Sequence, residues 1–567
     1  MDQLQKYIHL SKYSKWVEEL LRRETWTETV DRYIDFWRNR YDLSNNVLKE
    51  IRKSILNLEV MPSMRALMTA GKALEIDNMA GFNCTATAIN HQAVFSEAFY
   101  ILMCGSGLGF SAERQYINKL PEVAETLYPS DTIINVRDSK IGWATALKEL
   151  ISSLYNGTIP KWNLEKIRPA GSRLKTFGGR ASGPAPLGKL FNQVVQIFKG
   201  ATGRKLNSIE CHDLMCFIAD AVIVGGVRRS SLISLSNLTD DRMRRAKNGQ
   251  WWEINPQRAL ANNSVAYTEK PDLAAFSKEW RSLYTSKSGE RGIYNKEHAY
   301  LKCEALGRTE NFNGSFIPNP CAEILLRDTG GGCNLSSKII RQNISFQEML
   351  DGLRIATIIG TLQSTLTDFR FLRKVWKDNC EEERLLGVSL NGIMDNKIFS
   401  NMASREEFVE FSGDESLDCL AKILDHMRAY CRTINVKWSK KLGITPSKAI
   451  TTIKPEGCLE IGSKIRTSEG AKSIEDFFKD SGIDLLLFEG SKDIWFKPDI
   501  SYKVYNRNNK EVDVSKLYYN GIPKETVKLN FEDGTEQNVT PDHKFETISG
   551  KFVKAKDLTM MDDIKSF

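Results

Sequence analysis

The chain's most reactive side chains crowd between Phe316 and Leu335, in the run FIPNPCAEILLRDTGGGCNL. Cys321 follows Pro318 and Pro320, and proline confines both itself and the residue before it to extended backbone. Asn319 and Glu323 flank the cysteine two residues to either side, so an amide, a thiol and a carboxylate converge on a small volume. That set suits a loop tip holding a reactive thiol in a cavity, while an inert core cysteine is the plainer alternative. Cys333 follows behind three glycines that let the backbone turn tightly. Cys84 stands in the strand-like GFNCTATAI, and MCGSGLGFS at 103–111 adds a glycine turn. Its glycine spacing is not that of a dinucleotide fingerprint, so close approach to a ligand and a simple tight turn both stay open.

Other chemistries are excluded by what surrounds these residues. Eleven cysteines, scattered and without a C-x-x-C pair, fit neither a small disulfide framework nor a zinc ribbon. The six histidines (His9, His91, His212, His298, His426, His543) show no metal-ligand spacing. Metal chemistry would therefore have to arrive inside a cofactor. A net charge of +8, from 79 basic and 71 acidic residues, is a mixed surface suited to solubility or a phosphate-bearing ligand. No basic stripe with interleaved aromatics marks a nucleic-acid surface. No apolar run reaches the roughly 18 residues that span a bilayer, and MDQLQKYIHL lacks the layout of a signal peptide. The chain reads as cytoplasmic, without membrane contact.

The elements that must position the reactive residues can be read coarsely. With 567 residues, several domains are expected. Residues 1–60 read as a helical cap, with Trp16, Leu20, Leu21, Tyr33, Phe36, Trp37 and Tyr41 at helical spacing. Over 61–457 short apolar runs (GFNCTATAI, ADAVIVGG, SSLISLSN, CAEILL, LLGVSLNGI) alternate with helical stretches, the rhythm of an α/β domain with a mostly parallel sheet or barrel. From 458 to 567 the texture changes to short strand-like segments with Asn-Gly and Asp-Gly turn signals, predicting antiparallel hairpins in a β-rich module.

NPCAE with a following CNL, NC followed by GSGLGFS, and MPSMRAL upstream resemble ribonucleotide reductases. DSKIGWA at 138–144, IRPAGSRLKTFGGRASGPAPL at 167–187, VGGVRRSS at 224–231, ANNSVA at 261–266, LLGVSLNGIMD at 385–395 and TTIKPEG at 451–457 extend the match. The combination, collinear over roughly 12–457, resembles the adenosylcobalamin-dependent (class II) type, particularly the ribonucleoside-triphosphate reductases. The resemblance implies a ten-stranded α/β barrel with a finger loop inside, incomplete here. It implies that Cys321 forms a thiyl radical with adenosylcobalamin and abstracts the 3′-hydrogen of a ribonucleotide, which calls for a buried, rigid site. Glu323 would be general base on the 3′-hydroxyl, and Asn319 would bond the substrate hydroxyls. Cys84 and Cys333 would meet across the barrel as the dithiol that reduces the 2′ position. Ser63, Gly107, Thr452, Lys454 and Pro455 would bind the substrate, a ribonucleoside triphosphate or diphosphate. Asp138 and Ser139 would begin a deoxynucleotide effector site, or else simply start a helix. A thioredoxin-like reductant would restore the dithiol. Three features depart from the family: Ala322 stands where glycine is usual, Glu456 where a small residue is common, and the stretch from Ser111 to Asp138 is short for monomeric members, leaving oligomeric state open.

The resemblance stops inside TTIKPEG. The following CLEIGSKIRTSEGAKSIEDF resembles the opening of an intein, and DGTEQNVTPDHKF its threonine–histidine motif. Cys458 would attack the Gly457 carbonyl to form a thioester; Thr540 and His543 would polarise the scissile amide, and Asp542 would orient the histidine. The 110 residues from Cys458 to Phe567 match the size of an N-terminal intein half, an all-β Hint-type segment. The chain then reads as a precursor, inactive until trans-splicing with a partner that carries the C-terminal intein and reductase halves; a truncated gene is the alternative. A glycyl-radical enzyme fragment and a non-enzymatic binding protein are the remaining readings. With the C-terminal half and dithiothreitol present, intact mass is expected to show a product cut or ligated at Gly457 from wild type and none from Cys458→Ala. No cleavage in either would leave Cys458 an ordinary loop cysteine.

Overall fold

Runs of small and β-branched residues buried on both faces become the strands of one curled sheet. The computed structural model describes residues 3–172, 180–223 and 231–454, together with ten short strands between Lys464 and Lys554. The strands of the main body are β1 (Val60–Met61), β2 (Cys84–Ala88), β3 (Gly107–Ser111), β4 (Leu232–Asn237), β5 (Ala261–Tyr267), β6 (Gly292–Asn295), β7 (Phe316–Pro318), β8 (Leu325–Arg327), β9 (Gly331–Ile339) and β10 (Leu386–Asn391). Eight of them form a sheet in the order β6-β5-β4-β3-β2-β9-β10, with β1 pairing β9 off this path. Strands β2 to β6 in this sheet are mutually parallel, β9 and β10 are parallel to each other, and polarity reverses where β2 meets β9. Residues 449–452 continue beyond β10, held by Leu386 N–Ala449 O at 3.0 Å, Val388 N–Ile450 O at 2.8 Å and Thr452 N–Val388 O at 3.0 Å. The described sheet thus has eight strands where ten are expected.

The helices that surround the sheet and one another include α1 (Trp26–Arg40), α2 (Asn45–Leu56), α3 (Ala93–Met103), α4 (Lys140–Tyr155), α5 (Ser208–Ile223), α6 (Phe346–Gln363), α7 (Lys374–Glu383) and α8 (Leu420–Leu442). Every residue of α3 is buried, as an all-round apolar helix requires. Capping boxes of Thr25 with Glu28 and Ser345 with Glu348 start α1 and α6. Two expectations are corrected. ADAVI at 219–223 is the last turn of α5, not a strand; Cys211, Leu214, Met215, Ile218, Ala219 and Val222 are buried at helical spacing. Trp16, Leu20 and Leu21 belong to a short hairpin of Trp16–Val17 with Arg22–Arg23 and are exposed, because the Thr25 cap delays the helix until Trp26.

The hairpin of β7 and β8 is anchored at its base. Asp328 accepts from the Tyr116 hydroxyl at 2.6 Å and Ser315 N at 2.9 Å, and its carbonyl accepts from Ala88 N at 2.7 Å. Nearby, the buried Glu113 carboxylate receives Lys296 Nζ at 2.8 Å and the Ser111 hydroxyl at 2.8 Å. A second unit, of residues 340–344, 392–420 and 455–567, contains a helix over Arg405–Ser412 capped by Ser404 and Glu407. Its described strands are antiparallel: Lys464–Thr467 pairs Gly470–Ser473, Lys503–Tyr505 pairs Glu511–Asp513, and Val527–Asn530 pairs Glu536–Val539. Among the described residues no helix is long and apolar enough to cross a membrane.

Removing one partner of a buried ion pair strands the other charge. Glu113→Ala is expected to lower the unfolding free energy by about 3–5 kcal/mol, read from urea titration. Breaking the exposed Lys161–Asp131 pair should leave the midpoint unchanged.

Candidate active site

The tip between β7 and β8 is a tight turn. Ala322 N donates to Asn319 O at 2.9 Å, and Asn319 N to Ile324 O at 3.0 Å. The fully buried Asn319 side chain locks the turn: Oδ1 accepts from Ile324 N at 3.0 Å and Nδ2 donates to Glu323 Oε2 at 2.8 Å. Glu323 Oε1 is buried without a partner. Ala322 takes φ +63°, the left-handed region where a Cβ is strained and glycine is at ease. Cys321 is the third residue of this turn and is exposed at its apex, which corrects the expectation of a buried thiol.

Glycine makes room for this tip. A Cβ on Gly109 would lie 2.0 Å from Pro318 O, and one on Gly107 3.0 Å from Pro320 Cγ. Residues 107–111 are therefore strand rather than turn; only Gly105, at φ +84°, turns the chain. The glycines before Cys333 also act by clearance: a Cβ on Gly332 would meet the Phe82 ring at 2.7 Å, and one on Gly330 the Trp376 ring at 2.8 Å.

Cys84 and Cys333 are direct cross-strand partners at the β2–β9 junction, both buried free thiols. Opposed residues of an antiparallel pair lie about 4.5–5.5 Å apart at Cα, a separation that a disulfide spans. Burial pushes the Cys84 thiol up to about 12; Glu323 adds to this and a hydrogen bond with Asn319 opposes it. Burial likewise drives Cys333 well above the usual thiol range, with Cys84 and Glu323 adding to it. A cavity of about 50 Å³ is lined by Asn83, Cys84, Gly105, Gly107, Cys321 and Lys454.

Of the remaining expected residues, Thr452 donates through its hydroxyl to Glu323 O at 3.0 Å, and Lys454 N donates to Ser389 Oγ at 3.3 Å. Ser63 is buried, accepts from Ala66 N as a helix cap, and donates to Gly81 O at 3.2 Å; it touches the cavity residue Asn83 without lining the cavity itself. Ser139 caps α4 by accepting from Gly142 N at 3.0 Å, and Asp138 pairs with Arg168 at 2.6 Å, so neither joins the cavity. Pro455, Glu456, Gly457, Cys458, Thr540, Asp542 and His543 lie outside the described residues. Among the described residues no group of three or more His, Cys, Asp or Glu side chains is placed to hold a metal ion.

Sequence reading missed the clamp behind the tip. Arg308 donates to Glu383 Oε1 at 2.6 Å and Leu325 O at 2.9 Å, and its guanidinium lies 4.9 Å from the Phe316 ring centre. Arg327 holds Glu382 at 2.6 and 2.9 Å and Asn379 at 3.2 Å. Arg327 sits inside the run that drew attention to the site; nothing in the sequence marks Arg308. On that side a cavity of about 380 Å³ is lined by Glu323, Thr452 and the cations Lys302, Arg308, Arg428, Arg432 and Lys448.

With Cys84 held up to about 12, only about one thiol in 10⁴ ionises at pH 8. Iodoacetamide is expected to modify exposed Cys321 well before Cys84, with the Cys84 rate rising about tenfold per pH unit below 12. Peptide mapping checks this; equal rates at the two thiols would contradict the geometry.

Residues 114–198 match the family model described as "B12-dependent ribonucleotide reductase, insertion domain". Sequence reading had singled out only the Asp138 region and the flanking motif there, and had found the stretch before it short. The chain is 25% identical over 532 residues to the adenosylcobalamin-dependent ribonucleoside-triphosphate reductase of Lactobacillus helveticus, and 26% identical over 537 residues to that of Lacticaseibacillus paracasei. Each alignment covers 78% of this chain and 70% of the relative. The crystal structure of a B12-dependent (class II) ribonucleotide reductase shares the fold with a TM-score of 0.62 at 18% identity, covering 90% of this chain and 81% of that one. The Actinobacillus ureae class Id ribonucleotide reductase alpha subunit matches with a TM-score of 0.50 at 12% identity, over 80% of this chain and 72% of that one. In its insertion-domain match, its relatives and its fold, the chain is thus similar to class II, B12-dependent ribonucleotide reductases.

Proposed function

We propose that the chain belongs to an adenosylcobalamin-dependent ribonucleoside-triphosphate reductase, converting ribonucleotides to 2′-deoxyribonucleotides. One observation carries the reading: Cys84 and Cys333 are paired across two strands beside a hairpin tip bearing Asn319, Cys321 and Glu323. Cys321 is exposed at the hairpin tip, so its thiol is open to a cofactor from outside, and Pro320, Cys321 and Ser231 would border bound adenosylcobalamin. The chemistry supplied by adenosylcobalamin, when bound, is homolytic removal of a thiol hydrogen through cleavage of its cobalt–carbon bond.

Each side chain then has a task that its surroundings support. The Cys321 thiyl takes the 3′-hydrogen and later returns one. Glu323 Oε1, buried and unpartnered, accepts the 3′-hydroxyl proton, while Asn319 holds the other carboxylate oxygen and orients the substrate hydroxyls. Cys84 and Cys333 stay protonated through burial, which suits them to protonate the departing 2′-hydroxyl, leaving as water, and to end as a disulfide. A thioredoxin-like reductant restores them. Gly107, Thr452, Lys454 and Pro455, with Ser63 behind Asn83, hold the nucleotide. Asp138 and Ser139, in the insertion domain, begin the deoxynucleotide effector site. Cys458, Thr540, Asp542 and His543 act in protein splicing at Gly457.

After splicing, conversion of ribonucleoside triphosphate to deoxynucleotide with adenosylcobalamin and dithiothreitol is expected from wild type and absent from Cys321→Ala. Glu323→Gln is expected to lower turnover by about 10²–10⁴-fold. Turnover surviving in Cys321→Ala would overturn the thiyl assignment, and intact masses showing no cleavage or ligation in either wild type or Cys458→Ala under splicing conditions would overturn the splicing reading.

A further inference from the structure

One polar cluster lies in the wall of the catalytic cavity and takes no part in the proposed reaction. Cys104 caps the C-terminus of α3 and directly precedes Gly105, Ser106 and Gly107, all of which line that cavity. Its thiol donates to Asp77 Oδ2 at 3.1 Å. Lys140, from the first turn of α4, donates through Nζ to the same oxygen at 2.9 Å and lies 3.2 Å from Cys104 Sγ. Tyr100 packs beside the pair, its ring centre 5.9 Å from Lys140 Nζ, and Arg65 bonds the Cys104 carbonyl. Cys104 is fully buried, while the Lys140 side chain is 25% exposed and gives solvent a route to the cluster. Sulfur and nitrogen thus stand within the ~3–3.5 Å of a near-attack arrangement, with a shared carboxylate able to relay both protons.

We propose that Cys104 and Lys140 are a modification site, forming a reversible sulfur–nitrogen (sulfenamide) cross-link when the protein meets hydrogen peroxide. In the first step Cys104 sulfur attacks one peroxide oxygen, the O–O bond breaks, and the thiol proton passes through Asp77 to the departing hydroxide, giving sulfenic acid and water. In the second, Lys140 yields its ammonium proton, Nζ attacks the sulfur, the S–O bond breaks, and a second water leaves. One thiol, one amine and one peroxide become one S–N bond and two waters; sulfur loses two electrons and peroxide gains them. Two equivalents of added thiol reverse it, ending as an external disulfide.

Burial drives the Cys104 thiol up to about 12 against the pull of the Lys140 ammonium. For Lys140, burial pulls down, but Cys104 and Asp77 more than offset it, holding the ammonium above the ordinary lysine range. Thiolate and free amine are therefore both scarce at neutral pH, so the reaction is slow there and quickens as pH rises. The bond would tie the start of α4, next to Asp138 and Ser139, to the glycine wall of the cavity.

The test treats the full chain with hydrogen peroxide at pH 7 and pH 9, digests it, and reads the peptides by mass, with no call on reductase activity. A peptide joining Cys104 to Lys140, lighter than the sum of its parts by two hydrogens and split by dithiothreitol, is expected at a yield at least tenfold higher at pH 9. Lys140→Arg, which keeps the charge beside Asp77, should lose the joined peptide and leave Cys104 to run on to sulfinic acid; Cys104→Ser should lose both. Wild type with Cys104 unmodified, or oxidised only to sulfinic acid without a joined peptide, would overturn the proposal, as would the same two-hydrogen loss in Lys140→Arg.

Discussion

The site depends on one seam, where β2 meets β9 and the direction of the sheet reverses. Parallel strands need crossovers and place their neighbours far apart in sequence; the antiparallel junction of β2 with β9 lets two such groups share one sheet. At that junction Ala86, Thr85 and Cys84 stand opposite Gly331, Gly332 and Cys333. A slip of one residue would turn every side chain to the other face, so the register of this junction fixes the pairing of the two thiols. Phe82, filling the space above Gly332, leaves no room for a side chain there.

The hairpin carrying Cys321 packs Ile317, Ile324 and Leu326 into the apolar core and is held from behind by charge as well. Arg308 and Arg327 are both nearly fully buried and both approach Glu383, at 2.6 and 3.7 Å. Such groups persist inside a protein only when each charge is paired and its donors are used. Arg308 meets this by bonding the Leu325 carbonyl and approaching Cys303 Sγ at 3.3 Å, while Arg327 spreads over Glu382 and Asn379. The same acidic end of α7 receives Lys448 N at Glu383 O, 2.9 Å. Four residues later Thr452 hangs on the Glu323 carbonyl. The hairpin and the 448–452 stretch are thus bonded to each other directly and through a common anchor, and neither moves alone.

What could be read from the residues was the chemistry that repeats a pattern. The thiol, amide and carboxylate around Cys321 stand together as their spacing suggests, because three residues either side of a tight turn have little choice. Cys84 and Cys333 were linked only through family likeness; no local feature of either run reports a strand pairing so distant in sequence. The glycines were misread in kind. GSGLG and GGGC look like turns, yet most of these glycines lie in strands and serve as clearance for Pro318, Pro320 and Phe82, partners that only tertiary structure supplies. ADAVI looked like a strand because short apolar runs carry both periods, and the helical one emerges only over the full length of α5. Arg308 was invisible, since a buried arginine looks like any other until its partner is known.

Ala322 has a consequence that reaches beyond strain. A glycine at its left-handed turn would be comfortable there and in many other conformations, so the tip would lose much backbone freedom each time it adopted the working shape. The methyl group narrows that choice in advance. The chain accepts a standing cost of about 1 kcal/mol in backbone energy and in return presents Cys321 from a narrower ensemble. Whatever approaches the thiol therefore meets it already oriented, with less conformational entropy left to lose at the moment of encounter.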